Sequence, residues 1–204
     1  MKIINRKKNK MVVKNNKDGF TLVELLVTVS IMSLISASLF WNGRQFNDKL
    51  ALSTTSQDVS LLIRGVQSYS SSVRESSSGT GQFSYGYGID FDMSDLKSVT
   101  LFTDKNSNKV YDLGDTLVEK NILRNGVTIK SVCVTDATNT QSCSASFKSL
   151  QITFIRPSLS ATISTVDTSG FIRTSWASGQ IVLTSQQGVT KTISVNSFGQ
   201  ISVQ

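Results

Sequence analysis

The residues of this chain that could do chemistry are few, and their types narrow what that chemistry could be. There is no histidine in 204 residues, which excludes a histidine-ligated metal, a Ser-His-Asp triad and a Cys-His dyad. The two cysteines, Cys133 and Cys143, are too few for a structural zinc site and too far apart for a Cys-x-x-Cys redox motif. From Asp104 to Asp115 the run DKNSNKVYDLGD sets Asp104, Asn106, Asn108, Asp112 and Asp115 at positions 1, 3, 5, 9 and 12 of a twelve-residue window, with the Val110 carbonyl at position 7. That is the ligand spacing of a calcium-binding loop, although position 6 is Lys109 instead of glycine and position 12 is aspartate where glutamate is usual. The same residues read, in the simpler account, as a polar hairpin tip closed by Asx turns. Calcium is the one cofactor the sequence offers, and otherwise none is expected. Asp90, Asp92 and Asp95 form a carboxylate cluster with no histidine and no basic partner assigned to it, and read as a solvated strand end. No GxSxG or SxxK signature accompanies the many serines, so no catalytic residue and no enzyme are expected.

One further acid stands out by its surroundings. Glu24 is the only charged residue among the 22 from Phe20 to Trp41, a run that as a helix would span about 33 Å against a bilayer core of about 30 Å. Seven cations against one acid precede it in residues 1–19, so six units of the formal net charge of +7 sit in that tag and the rest of the chain is nearly neutral. The apolar run is too long, and Ser38–Asn42 too poor a cleavage site, for a secretory signal peptide; a buried core helix would not need the cationic flank. The run therefore reads as a single-pass transmembrane helix with its N-terminus in the cytoplasm. A carboxylate within it costs about 2.5 kcal/mol or more unless it finds a partner or snorkels to the interface. Cutting the chain after Gly19 would remove the tag and create an ammonium at Phe20, and an ammonium, including a neighbouring subunit's, is the partner a membrane-embedded carboxylate needs.

The segment Lys17-Asp-Gly-Phe-Thr-Leu-Val-Glu-Leu-Leu26 resembles the prepilin signal of type IV pilins and pseudopilins. The resemblance implies that prepilin peptidase cuts between Gly19 and Phe20 and N-methylates Phe20, and that Glu24 guides the subunit into a growing filament. It also implies as partners other pilin or pseudopilin subunits, an inner-membrane assembly platform, and the membrane itself before assembly. The proline that often kinks the pilin helix is replaced by Trp41, with Gly43 the nearest weak point, so a straighter helix is expected.

These residues need positioning elements. Val59, Leu62, Ile63, Val66, Tyr69 and Val73 recur at helical spacing, continuing the helix to about Arg74 before Ser76–Gly81 ends it. From Gln82 the period becomes two: Phe83, Tyr85, Tyr87, Ile89 and Phe91 alternate, and further strands are expected over 98–103, 116–123, 127–134, 149–155, 179–185, 191–195 and 200–203. Turn signals stand at Asn125-Gly126, Gln187-Gly188 and Phe198-Gly199. The expected fold class is α+β, a ladle whose long N-terminal helix packs on an antiparallel β-sheet head. Four parts follow: a cleaved basic leader at 1–19, a transmembrane or filament-core half of the helix at 20–41, an amphipathic half at 42–76, and a β-rich globular head at 77–204.

Within the pilin class the head resembles GspH/FimT-type minor pseudopilins, through YGIDFD at Tyr87–Asp92, FTDKNSNKVYDLGDTL at Phe102–Leu117, NGVTI at Asn125–Ile129, LQITF at Leu150–Phe154 and the ending QIVLTSQQGVTKTISVNSFGQISV. Residues 157–178 depart from that pattern and are expected to be a polar loop insertion carrying Trp176, as a contact residue or a satellite core anchor. Cys133 and Cys143 flank a short polar segment on the extracytoplasmic side, where a bridge would contribute about 2 to 3 kcal/mol; two free thiols are the alternative. The functional expectation is a minor subunit of a type IV pilus, a type II secretion pseudopilus or a competence pseudopilus. The alternative is a DNA-binding pilin of an uptake machine, which would need exposed cations on the head, where only Arg173 and Lys191 follow Pro157.

Overall fold

The computed structural model describes residues 19–72, 85–143, 147–155 and 158–204, with the backbone alone at 40–45. The basic leader, the helix-ending Ser76–Gly81, Val73, Phe83 and Pro157 lie outside the described residues, as does the side chain of Trp41. The chain divides into two units, Met1–Gly43 and Arg44–Gln204.

In the first unit the described chain is helical from Leu22, the start of α1 (Leu22–Ser71). Its window Leu22–Leu39 has a mean hydropathy of 2.0 with none of it buried, long and apolar enough to cross a membrane. Thr28, Ser30 and Ser33 do not spoil it, because each hydroxyl donates to a carbonyl three or four residues back.

Among the described residues the second unit holds the rest of α1 and eleven strands: β1 (Gly86–Asp92), β2 (Ser98–Asp104), β3 (Thr116–Ile122), β4 (Thr128–Thr135), β5 (Gln141–Cys143), β6 (Phe147–Phe154), β7 (Ala161–Asp167), β8 (Ile172–Thr174), β9 (Ser178–Thr184), β10 (Thr190–Asn196) and β11 (Ile201–Val203). The fold is α+β, and its antiparallel strands form two sheets where one was expected, in the orders β3-β2-β1-β6-β7-β8 and β11-β10-β9-β4-β5. Leu52, Val59, Ile63 and Val66 recur every three, four or seven residues, so they share one face of α1, and all are buried. They join one core with Tyr87, Ile89 and Phe91 of β1, Leu150, Ile152 and Phe154 of β6, and the inward residues of β4, β9 and β10. Small Ser56 and Ser60 on the same helix face bury their hydroxyls by bonding back to the Ser53 and Gln57 carbonyls.

Within the expected polar insertion at 157–178, residues 161–167 and 172–174 are instead strands of the six-stranded sheet. β7 pairs with β6 so that Ile163 faces Ile152, and β8 extends β7 to the sheet edge. Ala161, Ile163, Ser164 and Thr165 are buried. The strand ATISTVD is built largely of serine and threonine, whose β-branched or small side chains fit a sheet interior but leave little apolar alternation to detect. Trp176 anchors this edge: its indole N–H donates to Thr165 Oγ1 at 3.0 Å, its ring meets Phe147 edge-on at 6.2 Å, and the Arg173 guanidinium lies 4.1 Å above it.

The outward face of the six-stranded sheet is also covered. Phe102 lies over Gly88, where an added Cβ would fall within its ring, and packs at 5.1 Å against Tyr111 from the loop after β2. Val110 of that loop is buried, so residues 105–115 form a lid on this face, next to a polar row in which Asp90, Gln151 and Ser164 are in register.

Candidate functional site

Gly19 and Phe20 precede the helix and are exposed, Phe20 at 83%, and the space beside the Gly19 α-carbon is open. The peptide bond between them therefore lies in accessible, non-helical chain, the state a protease needs. The helix begins behind a capping box. Glu24 N–H donates to Thr21 Oγ1 at 3.3 Å, while Thr21 N–H and Oγ1–H donate to Glu24 Oε2 at 3.0 and 2.9 Å. Two donors at the helix start are thus satisfied reciprocally, with the carboxylate at the positive end of the helix dipole. Sequence reasoning missed Thr21, although Thr-x-x-Glu ahead of an apolar run carries that signal. Among the described residues both donors fall on Oε2, which leaves Glu24 Oε1 available to a second partner.

Hydrogen bonds tie the oxygen-rich residues of the loop to one another and to the loop backbone. Asp104 is buried and accepts the Lys109 N–H on Oδ2 at 3.0 Å. Asn106 Oδ1 accepts the Asn108 N–H, and Asn108 Oδ1 the Val110 N–H, at 3.1 and 2.9 Å. Asp115 accepts the Lys105 and Asp112 N–H groups at 2.9 and 3.1 Å. Asp112 accepts the Gly114 N–H at 2.7 Å, and the Asn106 and Asn108 side-chain amides at 2.6 to 3.1 Å. Burial pushes the Asp104 and Asp115 carboxyls up, whereas the Gly114 N–H followed by the Asn106 amide holds Asp112 down. Lys109, at the position where glycine is usual, takes the left-handed conformation with φ 67°, and Ser107 does the same at 58°. Among the described residues, no three acidic or cysteine side chains stand close enough to hold a metal by themselves.

Cys133 and Cys143 are bonded to each other as direct partners across β4 and β5. The bridge ties the short β5 to the five-stranded sheet. The three clustered acids separate. Asp92 caps a turn by accepting the Ser94 N–H at 2.8 Å. Asp95 has a basic partner after all, Lys120 of β3 at 2.8 Å, which with Ser98 lowers its pKa to about 2. Asp90 is not at a solvated strand end: it is 6% exposed, and burial raises its pKa to about 7 against the opposing hydrogen bond from Gln151 Nε2 at 2.9 Å.

No curated protein and no solved structure matches this chain. Residues 14–40 match the family model described as the prokaryotic N-terminal methylation motif, a segment that contains Gly19, Phe20 and Glu24 and runs to the end of the exposed apolar span. The chain thus carries a prepilin-type N-terminal motif on an apolar helix, consistent with a membrane-anchored type IV pilin or pseudopilin that prepilin peptidase processes.

Proposed function

We propose that the chain is a minor pilin or pseudopilin subunit, a structural part and not an enzyme, of a type IV pilus or a type II secretion or competence pseudopilus. It is inserted in the cytoplasmic membrane with its N-terminus inside, cut after Gly19, methylated at Phe20 and then drawn into an extracytoplasmic filament. The parts at 1–19, 20–41, 42–76 and 77–204 serve as leader, filament-core helix, head-binding helix and head. The order of the β-rich segments favours a GspH/FimT-type head.

The observation that carries this reading is the Glu24 carboxylate near the start of the exposed apolar span Leu22–Leu39, with one oxygen in the cap and the other open. Cleavage makes Phe20 the ammonium terminus. A neighbouring subunit's ammonium can then add to Oε1 without breaking the cap, and in a low-dielectric filament core that charge-assisted bond sets the axial register. The assembly platform and the other subunits are its partners. A nucleic-acid role is less well supported, because Arg173 is stacked on Trp176 and the Lys191 ammonium reaches Ser53 Oγ at 3.5 Å, so neither stands in a basic patch.

Glu24→Gln tests this directly, since glutamine keeps a capping-box acceptor and removes the charge. The variant is expected to be processed and to stay in the membrane, yet to be missing from the sheared filament fraction. Assembly at the wild-type level would refute the ion pair and leave Glu24 with a capping role only.

A further inference from the structure

The loop between β2 and β3 does more than turn the chain. We propose that residues 104–115 bind one calcium ion, through Asp104, Asp112 and Asp115, the side-chain oxygens of Asn106 and Asn108, and the Val110 carbonyl, and that the ion pins the loop onto the outward face of the six-stranded sheet.

Asp104 sets this loop apart from an ordinary cluster of surface acids. Its side chain is buried, Oδ2 accepts the Lys109 N–H at 3.0 Å, the Ser107 and Asn108 N–H groups also favour the charged carboxylate, and Oδ1 has no donor in hydrogen-bonding geometry. A buried carboxylate oxygen with nothing to accept from is costly, and here the Asp115 charge acts on it as well. A cation relieves both. The absence of glycine at position 6 is no obstacle, because Lys109 already adopts the left-handed turn that glycine would supply. With the turn made, the Asn106 and Asn108 side chains fold inward onto Asp112, and their amide N–H groups take the place of positive charge at that carboxylate.

The mixed donor set points to calcium and not to a smaller or softer ion. Three carboxylates, two amides and a carbonyl are all hard oxygens, and calcium accepts six to eight of them in flexible geometry, whereas magnesium demands a tight octahedron and keeps its waters. The three acids do not converge before binding, so the amides must give up Asp112 as the ion enters. Lys105 and Lys109, which carry the same sign of charge as the ion, border the site. Both features place the affinity with the weak extracellular class, a Kd of about 0.1 to 1 mM. The loop buries Val110 and packs Tyr111 on Phe102, so an ion at its centre would hold this lid closed.

The test uses the full chain in detergent micelles with terbium as the probe, excited through Tyr111 inside the loop. Bound terbium should give sensitised emission that calcium displaces with a Kd of about 0.1 to 1 mM and magnesium only at concentrations at least tenfold higher. Tyr111→Phe should lower the emission and leave the calcium displacement curve in place. Asp104→Asn and Asp112→Asn should each weaken calcium at least tenfold, and Asp136→Asn, in a turn elsewhere, should not. Asp112 is exposed, so its variant serves if that at Asp104 fails to fold. Emission that calcium does not displace, equal displacement by magnesium, or wild-type affinity in Asp112→Asn would each overturn the site. A subunit that assembles but fails this test loses only the calcium site.

Discussion

Asp90 gives the head a pH dependence opposite in sign to that of a surface carboxylate. It sits on the outward face of the six-stranded sheet at the floor of a cleft of about 270 Å³ that Tyr111, Asp112 and Lys148 also line. Burial raises its pKa from 3.8 to about 7, Asp92 adds to the rise, and Gln151 and Lys148 oppose it. Between these two values the folded carboxyl keeps a proton that the unfolded chain has released. The folded state then binds more protons, and stability falls as pH rises through the window, levelling off above about 7. At 1.36 kcal/mol per pKa unit the full cost is about 4 kcal/mol, of which about 2.5 kcal/mol falls between pH 5 and pH 8. An asparagine in place of Asp90 cannot ionise, retains an acceptor for Gln151 Nε2, and offers an amide near the unpartnered Gln151 Oε1. Asp90→Asn should therefore match the wild type within about 1.5 kcal/mol at pH 5 and exceed it by roughly 2 to 4 kcal/mol at pH 8. Urea unfolding of the full chain in detergent, followed by tryptophan fluorescence, measures both, and the difference between the two proteins cancels the other titrating groups. A difference that stays flat from pH 5 to pH 8, or a variant weaker at pH 8, would show that Asp90 is ionised and well solvated in the fold.

Two other perturbations test the head. Trp176→Ala removes a ring buried against Phe147 together with its bond to Thr165, and should cost about 3 to 5 kcal/mol in thermal unfolding; an unchanged midpoint would return residues 157–178 to an exposed loop. Replacing Cys133 and Cys143 together by serine opens a bridge that spans ten residues and should cost about 3 kcal/mol, while the wild-type chain, denatured without reductant, should take up no thiol reagent.

What could be read from the sequence followed local periodicity. Tyr87, Ile89 and Phe91 alternate, so β1 and its core face were legible, as were the helix stripe at Val59, Ile63 and Val66 and the β9–β10 hairpin at Gln187-Gly188, where Gly188 takes φ 81°. Asn125-Gly126 does turn the chain, with φ of 58° and 72°, but it carries the chain from one sheet to the other, because β3 and β4 are not paired. The second sheet was hidden for that reason: strand order is set by contacts distant in sequence. β7 was hidden by its serine and threonine content, and the burial of Asp90 by a lid whose arrival over that face no local pattern announces. At the N-terminus the Gly19-Phe20 junction of the matched motif, the lone acid and the apolar span were visible in the sequence, and the Thr21 cap could have been.

In the proposed pathway the chain enters the membrane first, and processing at Gly19 then admits it to the filament. Intact-mass and N-terminal fragment analysis of the protein from its native membrane should find a chain that starts at Phe20, carries one N-methyl group and lacks residues 1–19, while replacing Gly19 by a bulky residue should leave the chain uncut. A mature protein that retains the basic leader, or that begins at any residue other than Phe20, would contradict the account.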